Sequence, residues 1–293
     1  MAPWVRVMTH DTPAGPVALS VILPASNEAA LIGDCLAAVL ASDWPGSQGA
    51  VETLVIANGC HDDTADRARA MQPAFAERGW PLKVLDRAEG GKLGALNAGD
   101  ALASGPIRVY LDADVTISPP LLHQLAGVLS PDTPLYASGT VEIAAKGAVS
   151  RAYARFWRRV PFMVNGVPGC GLFAVNARGR ARWGTFPDII SDDTFVRLSF
   201  APEERRKVPA PYRWPIAEGL AALIRVRRRQ DAGVRQIERD HPALLANDDK
   251  PPFPATKKLA LALRDPLAFA TYTAVALTVK LSPQSDQSWT RSR

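Results

Sequence analysis

The chain is poor in cysteine and lacks the pattern of a secretory signal peptide at its start. Each absence excludes a class of protein. Its three cysteines, Cys35, Cys60 and Cys170, are odd in number and lack the spacing of metal ligands. We therefore expect reduced thiols in a cytosolic setting rather than a disulfide framework or a cysteine metal site. The stretch from Met1 to Arg6 is not a basic start followed by an apolar run. No signal peptide is expected.

Long apolar runs are also lacking. The uncharged stretch between Asp265 and Lys280 is shorter than the roughly 20 residues that a helix needs to cross a bilayer. Two interpretations remain open: an interfacial or re-entrant anchor on an anionic cytoplasmic leaflet, or a helix packed on the core. Basic and aromatic residues flank the stretch: Lys257, Lys258 and Arg264 before it, and Trp289, Arg291 and Arg293 after it.

The composition is that of a globular protein with an excess of positive charge. Hydrophobic residues make up 47% of the chain and charged residues 22%, which suits a large buried core. The net charge of +5 permits an anionic partner, and the basic runs Arg205–Lys207 and Arg225–Arg229 lie in the second half. These runs lack interleaved aromatic residues and the predicted site loops are acidic. Nucleic acid is therefore not expected as a partner.

Apolar runs alternate with amphipathic segments through the first half of the chain, which predicts strands and helices in turn. Such alternation with short connections implies a doubly wound, mostly parallel sheet with right-handed crossovers. A strand over Leu135–Ile143 and a helix over Ser150–Met163 are predicted in the less regular second half. The predicted strands of the first half are Ala18–Leu23, Val51–Ile56, Leu82–Leu85 and Ile107–Leu111, and the predicted helices are Leu31–Leu40, Thr64–Ala76, Leu93–Ala103 and one that begins at Pro119.

The last of these strands ends in two carboxylates, Asp112 and Asp114. Like charges at the mouth of a buried strand repel each other unless a cation lies beside them. A hard divalent ion with oxygen ligands would resolve the conflict and leave positions open for a phosphate. An isolated Asp-x-Asp is more often a solvated turn, so its weight depends on the loops around it. Ligands of such sheets bind beyond the carboxyl ends of the strands, where Pro24–Glu28, Ala57–Thr64 and Asp86–Lys92 should join it.

The contents of these loops carry a resemblance. The motifs are Pro24-Ala-Ser-Asn-Glu28, Ala57-Asn-Gly-Cys-His-Asp-Asp-Thr64, Glu89-Gly-Gly-Lys-Leu-Gly-Ala-Leu-Asn-Ala-Gly99, Asp112-Ala-Asp114, Gly169-Cys-Gly-Leu-Phe-Ala-Val175 and Ser191-Asp-Asp-Thr-Phe-Val-Arg-Leu198. In this order and spacing they resemble the family 2 glycosyltransferases, which are inverting enzymes. The resemblance implies their α/β GT-A nucleotide-diphospho-sugar transferase fold, a doubly wound, mostly parallel central sheet with an acceptor-side extension.

The resemblance also implies roles on the sugar-donor side. Pro24, Asn27 and Glu28 would line the nucleotide pocket. The alternative is that Asn27 and Glu28 are only an N-cap and an acid favoured by the dipole of the following helix. Asn58 stands where the family usually has an aspartate that contacts the base. An amide can still pair with uracil, so a UDP-sugar is favoured while the base stays open. Lys92 would face the diphosphate, and its alternative is a solvated lysine at a helix start.

The remaining roles concern the metal, the base and the acceptor. Asp114 would ligate Mg²⁺ or Mn²⁺ directly, while Asp112 contacts the ribose or the water shell of the metal. Asp193 matches the family's general base, since a plain helix cap would need only Asp192. Displacement at the anomeric carbon would occur in one step with inversion. The acceptor would contact Gly169, Cys170, Gly171 and Asp192.

One motif departs from the processive polysaccharide synthases of the family. Their Gln-x-x-Arg-Trp corresponds to Val226–Gln230 here, which retains only Arg229, and several long spans are lacking. This argues against a processive polymer synthase. The arginine cluster around Arg229 could still contact the diphosphate or anionic lipid, or lie on a solvated helix face. The aromatic stripe of Tyr153, Phe156 and Trp157 is interpreted as core or acceptor-cleft wall.

The sequence thus predicts an inverting, metal-dependent glycosyltransferase acting on a glycan or lipid-linked acceptor, in glycan, exopolysaccharide or glycolipid synthesis. A sugar nucleotidyltransferase and a non-catalytic nucleotide-sugar binding protein remain as alternatives. The expected place is the cytoplasm, at most peripheral on the cytoplasmic face of the inner membrane. The predicted divisions are a tail over 1–16, a transferase domain over 17–240 whose nucleotide-binding and acceptor halves are 17–130 and 131–240, and a C-terminal segment over 241–293 with a membrane-associating helix at 265–280.

Overall fold

Four parallel strands form the first half of a single sheet in the computed structural model, which describes residues 15–281. The predicted flanking residues Trp289, Arg291 and Arg293 lie outside that range. All four predicted strands are confirmed, and their pairing is parallel throughout. Their near-continuous apolar sequences reflect burial, since every residue of the second strand is buried. The strands are β1 (Val17–Ala25), β2 (Ala50–Asn58), β3 (Leu82–Arg87) and β4 (Ile107–Leu111).

The predicted helices occur between and after these strands, but one of them is broken. A single helix of mixed polarity is predicted over Thr64–Ala76. The structure has two helices, because Pro73 lacks an amide hydrogen and its ring would clash with the preceding turn of a continuous helix. The helices are α1 (Ile32–Leu40), α2 (Thr64–Arg69), α3 (Gln72–Glu77), α4 (Lys92–Leu102) and α5 (Leu121–Val128).

The second half of the sheet mixes strand directions. It is built from β5 (Thr116–Ile117), β6 (Tyr136–Ala144), β7 (Leu172–Asn176) and β8 (Arg205–Pro215). The full order is β3-β2-β1-β4-β7-β6-β8-β5. Strand β7 runs antiparallel to β4 and β6, β8 is parallel to β6, and β5 is antiparallel to β8. Of these four strands the sequence pattern predicts only β6.

The later helices pack around this half of the sheet. The helix expected over Ser150–Met163 is also two, because Pro161 begins a new helix rather than continuing the old one. The helices are α6 (Ala148–Trp157), α7 (Pro161–Asn165), α8 (Ala177–Arg180), α9 (Asp192–Leu198), α10 (Leu220–Asp240), α11 (Ala255–Arg264) and α12 (Pro266–Leu281).

The core lies on both faces of the sheet, as a doubly wound fold requires. Along β1 the side chains alternate, so Val21 packs with α1 and α5 while Ile22 packs with α4 and β7 on the other face. On that second face a Cβ on Gly99 of α4 would clash with the Ile22 side chain, so the glycine lets α4 approach the sheet closely. This packing aligns the start of α4 with the carboxyl ends of β1, β2 and β4.

Candidate active site

A cavity of about 940 Å³ opens at the carboxyl ends of the parallel strands. The loops after β1, β2 and β4 and the start of α4 form one side, and α6, α9, α10 and the end of β8 form the other. Residues predicted for the site from separate parts of the sequence meet here, and all of them except Cys170 line the cavity. They are Pro24, Asn27, Glu28, Asn58, Lys92, Asp112, Asp114, Gly169, Gly171, Asp192, Asp193 and Arg229.

The loop after β1 is held in place by the loop after β2. Asn27 has a left-handed backbone with φ of 52°, which asparagine tolerates better than most residues, and its Oδ1 accepts the His61 amide at 2.7 Å. The Glu28 amide donates to Thr64 Oγ1 at 2.7 Å. The polar residues that resemble simple caps in sequence thus tie two loops together at the cavity wall.

Asn58 is buried, and its side chain ties three chain segments together. Its Nδ2 donates to the carbonyl oxygens of Ala25 and Ile56, at 2.8 and 3.2 Å, and its Oδ1 accepts the Gly91 amide at 3.0 Å. Both amide hydrogens are therefore used, and one Oδ1 lone pair remains for a ligand. That lone pair can accept a hydrogen bond from an N–H group of a nucleotide base. Contact between Asn58 and the nucleotide base stays a prediction, in which Asn58 is the hydrogen-bond acceptor.

The glycines before α4 serve loop packing as well as backbone access. A Cβ on Gly59, whose φ is 56°, would lie 2.8 Å from the Gly90 Cα. The backbones of Gly59 and Gly90 therefore approach each other closely. Gly91 precedes the first residue of α4. Its φ of 132° is a backbone conformation that residues with a side chain rarely adopt. Together these glycines bring Lys92 to the cavity.

Lys92 bridges two acids from different halves of the chain. Its Nζ lies 2.9 Å from Asp112 Oδ1 and 3.1 Å from Asp192 Oδ2. Burial alone would lower the pKa of Lys92, but the charges of Asp112 and Asp192 outweigh it and raise that pKa well above its usual range. The interpretation of Lys92 as a solvated helix-start lysine is thereby wrong. The residue is a fixed cation between the end of β4 and the start of α9.

The turn after β4 is pinned by the glycine motif. The Asp112 amide donates to the Gly171 carbonyl oxygen at 2.9 Å. Gly171 has φ of 71°, and a Cβ there would lie 2.7 Å from the Trp214 ring and 2.8 Å from the Val115 side chain. A residue with a Cβ would be strained at this φ and would clash with its neighbours, so the position requires glycine. The motif thereby sets the position of the turn that carries the two carboxylates.

Asp112 and Asp114 fit a divalent cation that is shared with a substrate. Both carboxylates are half-buried and line the cavity. Among residues 15–281 no group of three or more His, Cys, Asp or Glu side chains is placed to hold a metal ion. Mg²⁺ and similar ions are commonly bound by one or two carboxylates together with water and substrate phosphates. The pair therefore suits an ion that arrives with a diphosphate better than an all-protein cage.

Asp193 is a carboxylate whose surroundings favour its protonated form. It lies in the first turn of α9, where its Oδ1 accepts the Thr194 amide at 2.7 Å. Burial and the negative charge of Asp192 raise the pKa of Asp193 to about 6, against the lowering effect of Lys92. A carboxylate tuned toward neutral pH can accept a proton from a hydroxyl during reaction. Its neighbour Asp192 is paired with Lys92 instead.

Cys170 lies behind the cavity wall rather than on it. Its carbonyl oxygen accepts the Tyr212 hydroxyl at 2.9 Å, while burial and the charge of Asp193 raise the pKa of its thiol. The adjacent Gly169 has φ of 69°, and a Cβ there would clash with Tyr136 Oη. The motif thus presents glycine backbone to the cavity, and acceptor contact by the Cys170 side chain has no support from this placement.

Further aromatic residues and the predicted arginine cluster complete the wall. Tyr110 of β4 and Phe173 of β7 are register partners with ring centroids 4.8 Å apart, and Trp214 at the end of β8 lies 5.4 Å from Trp157. The contributions of Phe173 and Trp214 are hidden because β7 and β8 do not stand out as strands in the sequence. Tyr153 and Trp157 of the predicted aromatic stripe line the cavity, and so do Arg225 and Arg227 beside the predicted Arg229.

A buried charge network holds α9, which carries Asp193, against the segment after α10. The Arg197 guanidinium is 2% exposed and contacts Asp248 at 2.9 Å and Asp249 at 2.8 Å. Arg205, also buried, shares Asp249 at 2.5 Å and donates to the Asn247 carbonyl oxygen at 2.5 Å. Asp249 therefore balances two guanidinium groups that would otherwise repel each other in a buried place.

Asp249→Asn should lower the free energy of unfolding by about 2 kcal/mol or more, because it leaves buried arginine charge uncompensated. The magnitude allows for the partial exposure of Asp249, whose side chain is 35% accessible. Urea titration followed by circular dichroism measures the change. Asp240→Asn is the matched control, since Asp240 pairs with Arg239 at the surface and should show no measurable effect. Equal stability of the two variants would mean that the network does not hold α9.

Known proteins share sequence with parts of this chain. The family model described as Glycosyl transferase family 2 matches residues 20–171. The Haloferax volcanii glycosyltransferase AglE is 37% identical over 97 residues, or 33% of this chain and 30% of its own. The Synechocystis beta-monoglucosyldiacylglycerol synthase is 30% identical over 142 residues, or 47% of this chain and 27% of its own. The chain therefore spans less than a third of each of these two relatives.

The fold is shared with solved structures. One is the mannosyltransferase PcManGT from Pyrobaculum calidifontis in complex with GDP-Man and Mn²⁺, with a TM-score of 0.58, 22% identity and coverage of 97% of this chain and 80% of that one. Another is S. aureus TarS 1–349, with a TM-score of 0.56, 15% identity and coverage of 91% and 76%. At these identities the likeness establishes the architecture, and it supports the predicted fold class.

Proposed function

The chain belongs to glycosyl transferase family 2, and from this premise we propose that it is an inverting, metal-dependent transferase. It moves a sugar from a nucleotide-diphospho-sugar to an acceptor hydroxyl. The observation that carries the proposal is the convergence of three charged groups on one cavity: the Asp112 and Asp114 pair, Lys92, and Asp193. Sugar transfer needs charge neutralisation at the leaving diphosphate and, separately, a proton acceptor near the attacking hydroxyl.

The sugar donor occupies the side of the cavity formed by the parallel strands. Pro24, Asn27, Glu28 and Asn58 hold the nucleoside, and Asn58 accepts a hydrogen bond from the base. Asp114 and Asp112 would hold Mg²⁺ or Mn²⁺, which when bound neutralises charge on the diphosphate. Lys92 and Arg229 add positive charge beside the same group. The pocket that these residues line supports the assignment.

Asp193 acts as general base on the opposite side. As the acceptor oxygen forms its bond to the anomeric carbon, Asp193 takes the hydroxyl proton. The bond from that carbon to the diphosphate oxygen breaks, and its electron pair leaves with the diphosphate. Attack from the face opposite the leaving group inverts the anomeric configuration. The raised pKa of Asp193, about 6, supports this role, and Gly169, Gly171 and Asp192 line the acceptor side beside it.

The substrates are proposed by class. A UDP-hexose is favoured as sugar donor, and a glycan or lipid-linked hydroxyl as acceptor, in glycan, exopolysaccharide or glycolipid synthesis at the cytoplasmic face of the membrane. Structural relatives give the range to test, since PcManGT was solved with GDP-Man and TarS with UDP-GlcNAc. The loop Pro24–Glu28 has no basic residue, which disfavours a sugar nucleotidyltransferase.

Turnover of a nucleotide-sugar panel tests the proposal. With Mn²⁺ or Mg²⁺ present, the full chain should release nucleoside diphosphate from a UDP-sugar, and the product linkage should have inverted configuration by NMR. A sugar nucleotidyltransferase would instead release pyrophosphate from a nucleoside triphosphate and a sugar phosphate. A non-catalytic binding protein would bind the nucleotide sugar without consuming it. Either result would contradict the proposed transfer.

A further inference from the structure

Helix α11 has an apolar surface that no other residue in the described range 15–281 covers. None of its residues is buried, although the sequence Ala255-Thr-Lys-Lys-Leu-Ala-Leu-Ala-Leu-Arg264 is rich in leucine and alanine. Leu259 and Leu263, one helical turn apart, are 62% and 75% exposed. A helix this short is marginal in water unless tertiary packing stabilises it. The apolar side of α11 is therefore expected to contact another apolar surface.

Helix α12 follows α11, contacts it, and also exposes leucines. Its buried side, with Ala268 and Val275, packs on the rest of the protein. Its outer side exposes Leu267 at 65% and Leu281 at 82%, and Leu277 is exposed near them. Among the large hydrophobic residues of the described part of the chain, the four most exposed, Leu259, Leu263, Leu267 and Leu281, all belong to α11 and α12.

Apart from one acid, the charged residues of the two helices are cations. The single acid between positions 255 and 281 is Asp265, which is held by Arg155 at 2.7 Å and by Arg159 at 3.7 Å from α6 and the turn after it. Its negative charge is therefore neutralised on the protein side. The exposed cations that remain on the two helices are Lys257, Lys258, Arg264 and Lys280.

We infer that this leucine–lysine surface, formed by Leu259, Leu263, Leu267, Leu277 and Leu281 with Lys257, Lys258, Arg264 and Lys280, docks on a bilayer of anionic phospholipids. In this arrangement the exposed leucines enter the membrane interface and the cations face the phosphate headgroups. The apolar exposure and the positive charge are then both accounted for. A second copy of the chain would fit poorly, because a symmetric contact would set the same cations against each other. No helix among the described residues is long and apolar enough to cross a membrane, so the proposal is interfacial docking.

The inner side of α12 packs against residues that line the cavity. On the inner side of α12, Tyr272 stacks on Tyr153 with ring centroids 5.1 Å apart, and Val275 packs with Leu223. Tyr153 and Leu223 both line the cavity. A bilayer under α11 and α12 would therefore lie close to the acceptor, which favours a hydroxyl carried by a membrane lipid. This last step rests on the proposed function, whereas the docking itself does not.

Sedimentation with vesicles tests the docking. The full chain should pellet with vesicles of phosphatidylcholine mixed with phosphatidylglycerol, and weakly with phosphatidylcholine alone. Leu259→Ser combined with Leu263→Ser and Leu267→Ser should lower the partition coefficient by about tenfold or more, because apolar insertion is lost. Lys257→Glu with Lys258→Glu should lower it on the anionic vesicles only. These residues are exposed, so circular dichroism should report an unchanged fold.

Matched controls and a second readout separate the outcomes. Leu102→Ser with Val164→Ser changes exposed hydrophobic residues outside the surface and should leave partitioning unchanged. Equal pelleting of the leucine variant and the wild type would overturn the docking. The docking would also be overturned if the wild type forms a concentration-dependent dimer in analytical ultracentrifugation, the leucine variant does not, and the wild type fails to bind vesicles. Vesicle binding without release of nucleoside diphosphate would leave the docking intact and remove the proposed function.

Discussion

Asp193→Asn should lower kcat by about 10²–10⁴-fold, the range expected when a general base is removed. The change preserves size and hydrogen-bonding capacity and deletes only the ability to accept a proton. Because the sugar donor is assigned to the β4 and α4 side, its Kd should stay within about twofold of the wild-type value. Steady-state kinetics and titration calorimetry with a UDP-sugar measure the two quantities. Equal losses of donor affinity and rate would make Asp193 a structural or metal-side residue.

The pH profile gives an independent reading of the same residue. The base must be ionised to act, and the pKa of Asp193 is raised to about 6. The wild-type kcat/KM should therefore be flat above about pH 6 and fall about tenfold per pH unit below it. The residual activity of Asp193→Asn should lack this step. A wild-type profile that stays flat well below pH 6 would contradict a base with this pKa.

Asp188→Asn is the matched control, because Asp188 lies a few residues earlier and does not line the cavity. It should change neither kcat nor the pH profile. Stability distinguishes the two as well. The folded-state pKa of Asp193 lies above the ordinary aspartate value, so its ionisation costs folding free energy as the pH rises through about 6. Asp193→Asn should therefore have a Tm above that pH no lower than that of the wild type.

The parallel half of the fold is predictable because its strands are buried on both faces. A strand buried in this way is a short continuous apolar run, and β4 has the predicted bounds Ile107–Leu111. Strand β8 escapes prediction because it contains three prolines and several cations, a composition typical of a loop. Only its pairing with β6 and β5 makes it a strand. Without β8, the position of Trp214 in the wall cannot be expected.

The helix breaks are missed for a different reason. Apolar periodicity continues across Pro73 and Pro161, and it outweighs the lost amide hydrogen of proline when a helix is predicted from pattern alone. This matters at the site, because α6 carries Tyr153 and Trp157 of the cavity wall and ends at Trp157. A rule that ends a helix before an internal proline gives both boundaries more closely.

The convergence of the loops follows from topology, and the contacts within them do not. The carboxyl-end rule alone predicts that Asn27, Asn58 and Asp112 lie together. It does not predict that both Asn58 amide hydrogens are used within the protein or that Lys92 reaches Asp192. Asp192 comes from α9, whose position depends on β7, on α10 and on the buried pairs of Arg197. Distances of this kind arise from long-range packing that local pattern does not encode.

Asp114→Ala should abolish metal-dependent transfer. Loss of a carboxylate that holds the ion removes several kcal/mol of stabilisation from the departing diphosphate, which corresponds to a fall in kcat/KM of about 100-fold or more. The wild type should lose activity in excess chelator and regain it with Mn²⁺ or Mg²⁺. Asp132→Asn, at an exposed carboxylate paired with Arg178 away from the cavity, should behave as the wild type does.

Metal binding in the absence of turnover separates a ligand from a merely structural acid. Because residues 15–281 contain no group of three or more metal-ligand side chains, Mn²⁺ should bind the wild type weakly alone and more tightly when UDP supplies phosphate oxygens. In Asp114→Ala the UDP-linked increase, followed by electron paramagnetic resonance of free Mn²⁺, should disappear. Asp112→Asn should weaken it less, because Asp112 is already paired with Lys92 at 2.9 Å. Full wild-type activity in excess chelator, or an unchanged UDP-linked Mn²⁺ affinity in Asp114→Ala, would remove the metal from this site and leave Lys92 as the charge that meets the diphosphate.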